Sequence, residues 1–87
     1  MGKRTLKRYK HLGPSFNSWH DLEQEVRNLF EGVENAVSVR IIQSDGPVKK
    51  IEEPDAEQVI GYLHKLIPNP RSRFELYLFL TVAEVWE

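Results

Sequence analysis

Residues 73–87 read RFELYLFLTVAEVWE, and this stretch decides the fold. Successive side chains of a strand point to opposite faces. The run therefore divides into Phe74, Leu76, Leu78, Leu80 and Val82 on one side and Tyr77, Phe79, Thr81 and Ala83 on the other. Glu75 is the one charged residue between Phe74 and Ala83. A strand wetted on one face alternates apolar with polar, so a run apolar on both faces needs cover twice. One cover is expected from helices of the same chain. The other comes from more of this chain or from a partner.

Two amphipathic helices precede this strand. Ser18 is a good N-cap with Asp21 at the third helical position, a short version of the capping box. Trp19, Leu22, Val26, Leu29, Phe30 and Val33 follow at spacings of three and four, and Gly32 supplies a stop, which predicts a helix over 18–32. In the second helix Asp55 is the cap and Gln58 stands at its third position. Ala56, Val59, Ile60, Leu63, Leu66 and Ile67 form the stripe, and Pro68-Asn69-Pro70 ends it.

Between the helices, residues 36–43 (AVSVRIIQ) are β-branched, with Val37, Val39 and Ile41 on one face and Ser38, Arg40 and Ile42 on the other. Ser44-Asp45-Gly46-Pro47 is a turn by composition, and residues 48–52 return as a short strand, a hairpin. The start is set off by Gly13-Pro14-Ser15. Residues 4–12 (RTLKRYKHL) read either as a first strand, with Thr5, Lys7, Tyr9 and His11 on one face, or as a loose arm. The first reading gives β-α-β-β-α-β, an α+β ferredoxin-like plan with two helices on one face of a mainly antiparallel sheet. The second gives α-β-β-α-β, a three-stranded sheet with a disordered N-terminal arm. In the four-stranded plan the final strand is expected at an edge. The domain division is a basic arm or first strand over 1–14 and one α+β domain over 15–87.

Eighty-seven residues with 40% apolar and 29% charged side chains suit one modest core. The chain has no cysteine, which excludes disulfides, thiolate metal sites and a cysteine nucleophile and fits a reducing, cytoplasmic setting. No apolar run approaches the roughly 18 residues of a membrane span, and the charged start lacks the apolar core of a secretory signal. Gly2 alone does not make a myristoylation site, because Leu6 stands where that motif has Ser or Thr. No membrane association is expected. The whole chain carries −1, yet residues 1–14 hold five cations and no acid, so the rest carries −6.

Chemistry-bearing motifs are absent. Neither dinucleotide nor P-loop glycine patterns occur. His11, His20 and His64 are scattered, and no histidine pair has metal-ligand spacing. The acids Glu52, Glu53, Asp55 and Glu57 flank a helix N-terminus, where the macrodipole favours them without any catalytic role. His20 and Asp21 are adjacent on a helix and point about 100° apart, a solvated helix start rather than an acid–base pair. Residues 47–53 (PVKKIEE) lack the aromatic consensus of RNA-recognition domains, and residues 11–19 (HLGPSFNSW) lack the glycine-rich loop and arginine of acylphosphatases. No enzyme activity and no cofactor are expected.

Two surfaces remain. The first is the uncovered face of the final strand, where Tyr77 and Phe79 are joined by Ile42 and Arg40. Aromatics with an arginine have the composition of a protein-interface core. The leading expectation is a small non-catalytic protein-binding module that occludes its partner, in the manner of an inhibitor, immunity factor or antitoxin. Glu75, Glu84 and Glu87 would meet a basic partner. The second surface is the basic arm, where Lys3, Arg4, Lys7, Arg8 and Lys10 around Tyr9, assisted by Arg40, Arg71 and Arg73, suit nucleic acid. A third reading is an obligate homodimer joined through the sheet face or the final strand.

Overall fold

The computed structural model describes residues 2–44 and 46–86, with side chains over 4–44 and 46–83. Its elements are β1 (Gly2–Leu12), α1 (Trp19–Leu29), β2 (Ala36–Gln43), β3 (Val48–Glu52), α2 (Ala56–Leu66) and β4 (Leu76–Trp86). The basic N-terminal segment is thus a strand, and the four-stranded alternative is the one adopted.

The sheet order is β1-β4-β2-β3, and every pairing is antiparallel. β1 and β2 therefore run in the same direction with β4 between them, while β3 and β4 do so with β2 between them. Two interleaved split β-α-β units of this kind make a ferredoxin-like α+β fold. The expectation that the final strand lies at an edge is corrected: β4 is interior, paired with β1 from Gly2↔Trp86 to Leu12↔Leu76 and with β2 on its other side. The physical reason is burial. The chain's most apolar strand gains most from neighbours on both edges, and the lysine-bearing β1 and β3 take the exposed edges, where charge discourages further pairing.

Each helix begins as its caps dictate. Ser18 Oγ accepts from the Asp21 amide at 3.3 Å. Asp55 and Gln58 form the complete reciprocal box, with Gln58 N donating to Asp55 Oδ1 at 2.8 Å and Asp55 N donating to Gln58 Oε1 at 3.1 Å. α1 stops three residues short of Gly32. Phe30 and Glu31 continue in tighter turns, and Gly32 takes φ +73°, a left-handed conformation suited to glycine. Gly13, at φ +139°, lies so close to Phe74 that a Cβ there would overlap the Phe74 carbonyl oxygen. Hydrogen bonds from Phe74 N to the Pro14 carbonyl and from Phe16 N to the Pro70 carbonyl, both 2.7 Å, tie the two loops beside it.

The core fills the space between the helices and one face of the sheet. Leu22, Val26 and Leu29 of α1 and Val59, Ile60 and Leu63 of α2 pack with Leu12, Val39, Ile41, Leu76, Leu78, Leu80 and Val82 of the strands. One expected core residue lies outside. A register shift between Ala36 and Ser38 sets two residues of β2 against one of β4, so Ala36 packs on the core and Val37 is left 40% exposed. Among the described residues, no helix is long and apolar enough to cross a membrane.

Candidate interaction surface on the open face of the sheet

Because both helices occupy one side, the opposite side of the sheet carries no layer among the described residues. Its composition follows from strand alternation and register. β1 contributes Thr5, Lys7, Tyr9 and His11, which stand opposite Ala83, Thr81, Phe79 and Tyr77 of β4. β2 contributes Ser38, Arg40 and Ile42, opposite Thr81, Phe79 and Tyr77 from the other side. β3 adds Val48 and Lys50, opposite Ile42 and Arg40.

The aromatic side chains gather at the centre of this face. The Tyr9 ring lies 5.1 Å from Phe79 and 6.4 Å from Tyr77, and the His11 ring stacks on Tyr77 at 4.9 Å. Cross-strand aromatic pairs of this kind stabilise a sheet modestly, by about 0.2–1 kcal/mol each. Tyr9 is 55% and Phe79 39% exposed, so the cluster presents ring surface to solvent even after the pairs have formed.

The charges divide into engaged and unengaged. Glu75 accepts a hydrogen bond from the Tyr77 hydroxyl at 2.9 Å and lies 3.6 Å from His11 Nε2. That hydrogen bond, together with the negative charge of Glu75, raises the Tyr77 pKa above its ordinary value of 10.0. Lys50 pairs with Glu52 at 3.3 Å. The side chains of Lys7 and Arg40, in contrast, have no hydrogen-bond or ion-pair partner among the described residues. They stand on either side of β4 and, with Ser38, Ile42, Phe79 and Thr81, line a shallow depression of about 320 Å³.

No protein-family model, curated protein or solved structure matches this chain.

The structure brings together residues that the sequence assigns to different surfaces. Arg40, Ile42, Tyr77 and Phe79 share the open face as expected, and Glu75 adjoins it. Tyr9 and Lys7, read from sequence as part of a separate arm, belong to the same face. Arg8 and Lys10 turn toward the helices. Arg8 Nη1 donates to the carbonyls of Leu29 at 3.1 Å and Glu31 at 2.7 Å, which closes the C-terminal end of α1. Lys10 pairs with Glu25 of α1 at 3.1 Å, and Arg4 alternates onto that same side. Arg71 Nε donates to the Asn17 carbonyl at 3.2 Å and so braces a loop. The side chains of Lys3 and Glu84, and Glu87 altogether, lie outside the described residues.

The histidines are distributed. His64 stacks on Trp19 with ring centroids 3.9 Å apart and places Nε2 2.8 Å from Glu23, an inter-helix contact. His20 is exposed at the start of α1. Among the described residues, no group of three or more His, Asp or Glu side chains is placed to hold a metal ion.

Proposed function

We propose that this protein is a non-catalytic protein-binding module that captures its partner on the open face of the sheet and acts by covering the partner's surface. The observation that carries this reading is the exposed Tyr9–Phe79 ring pair, on a sheet whose other face is closed by helices. Rings already held in place by cross-strand neighbours lose little freedom when a partner lands on them. Preorganised aromatic area flanked by an arginine has the chemistry of an interface hot spot.

Nucleic acid is supported less well. A phosphate-tracking surface uses many unengaged cations, whereas Arg8 and Lys10 are bonded to α1, Lys50 is paired with Glu52, and among the described residues Lys7 and Arg40 are the unengaged cations beside the rings. A homodimer joined face to face is also disfavoured. A two-fold axis near Phe79 would bring Lys7 and Arg40 toward their own copies, an arrangement of like charges at an apolar contact.

The test is capture from nuclease-treated extract of the source cells, comparing the wild-type chain with a Tyr9→Ala/Phe79→Ala variant whose circular dichroism matches it. A protein retained by the wild type and lost by the variant is expected. Equal retention by both chains would sink the reading, as would a concentration-dependent dimer of the wild type in sedimentation. Capture that disappears with nuclease treatment would transfer the surface to nucleic acid.

A further inference from the structure

We propose that the depression between Lys7 and Arg40 receives an acidic side chain from an extended, partly apolar segment of the partner, so that the recognised feature is a carboxylate beside an apolar residue. This rests on the reading of the open face as a protein-binding surface and specifies the chemistry of what it binds.

The argument is one of charge complementarity. Lys7 lies opposite Thr81 and Arg40 opposite Phe79, so the two cations flank one strand on either side, offset by two residues along it. Two inter-strand spacings and a two-residue step along the strand separate their backbones, about 12 Å, a gap that two long side chains can close around a single carboxylate. The depression is otherwise lined by Ser38 and Thr81, whose hydroxyls can donate to the same anion, and by Ile42 and Phe79, which offer apolar contact. Among the described residues, no acid lines the depression. Glu75 and Glu52, the nearest acids of the same face, are engaged with Tyr77 and His11 and with Lys50.

The acidic character of the chain outside its first strand points, in sequence, to a basic partner. Locally the sign is reversed. Unpaired cations beside exposed rings attract a negative group, and arginine is the side chain best shaped to hold a carboxylate in two parallel hydrogen bonds. A partially desolvated anion held this way sets register along the sheet, while the Tyr9–Phe79 rings supply the contact area.

The experiment is a nuclear magnetic resonance titration of the full, isotope-labelled chain with three probes. They are a short blocked peptide alternating glutamate with leucine and phenylalanine, its glutamine counterpart, and a short oligothymidylate. Shifts at Lys7, Arg40, Phe79 and Thr81 with the glutamate peptide are expected, weakened roughly tenfold in Arg40→Gln and nearly abolished in Lys7→Gln/Arg40→Gln. Equal binding of the glutamine peptide at these residues would overturn the carboxylate while leaving the protein-binding face standing. Tighter binding of the oligothymidylate there would overturn both, and an absence of shifts on this face with either peptide would overturn the inference. Both cations are exposed surface positions, and unchanged amide spectra of the free variants separate loss of binding from loss of fold.

Discussion

The two sides of β4 are made of alternate residues of one strand, yet they do different work. On the helix side Leu76, Leu78 and Leu80 are fully buried. On the other side Phe79, flanked by these leucines in sequence, remains 39% exposed beside Tyr9. The helix side is aliphatic and closed, which suits a core whose only task is to exclude water. The open side is aromatic and, among the described residues, carries the unpaired cations Lys7 and Arg40, a combination expected to contribute little to folding. The difference teaches that apolar character alone does not mark a core residue. What marks it is whether another element of the chain has a stripe to set against it.

The largest effect expected from this contrast is in stability. Leu78→Ala removes a fully buried side chain from between the helices and should cost about 2–5 kcal/mol, because the cavity cannot collapse completely. Phe79→Ala, one residue away, should cost no more than about 1 kcal/mol, the loss of cross-strand ring contacts. Denaturant unfolding of both variants measures the gap. Comparable losses would show that the open face is part of the core.

A smaller contrast of the same kind lies in β1. Arg8→Ala deletes the hydrogen bonds to the Leu29 and Glu31 carbonyls and should destabilise the protein by about 1 kcal/mol, with faster amide exchange at the end of α1. Lys7→Ala, pointing the other way, should stay within about 0.5 kcal/mol of wild type. If the two variants are equally stable, the assignment of neighbouring cations to opposite tasks fails.

The smallest effect concerns Tyr77. Its hydroxyl titrates above 10.0 because it donates a hydrogen bond to Glu75 and because its phenolate would face that carboxylate. A folded-state value above the unfolded one gives a contribution to stability that is whole below about pH 10 and is lost as pH climbs through the folded value. Glu75→Gln should bring the phenolate absorbance midpoint back toward 10.0. An unchanged midpoint would detach Glu75 from the aromatic cluster.

Much of this arrangement is legible in the residues. The Asp55–Gln58 box, the Pro68-Asn69-Pro70 stop and the helix stripes are local patterns, and local hydrogen bonding and proline geometry enforce them directly. The division of β4 into a leucine face and an aromatic face is equally local, since it needs only the two-residue period of a strand. Val37 escapes that logic, because a bulge changes the period by one residue at a place where the sequence carries no glycine or proline to announce it. Tyr9 and Lys7 escape it for another reason. Their alternation within β1 is visible, but which strand lies beside them is not.

The two helices and their caps, the last three strands and the faces into which each strand divides follow from the amino-acid sequence alone, because those depend on neighbours a few residues apart. Residues 4–12, in contrast, read equally as strand or arm until β4 is there to pair with them. Only the tertiary structure decided that β4 lies between β1 and β2, that Arg8 and Lys10 close onto α1, and that Tyr9 meets Phe79 across 70 positions of chain. Those outcomes depend on how the whole apolar surface is most fully buried, a competition among distant segments that no single stretch encodes. The open face exists because two helices suffice to cover one side of a four-stranded sheet, while among the described residues no other element is left to cover the second.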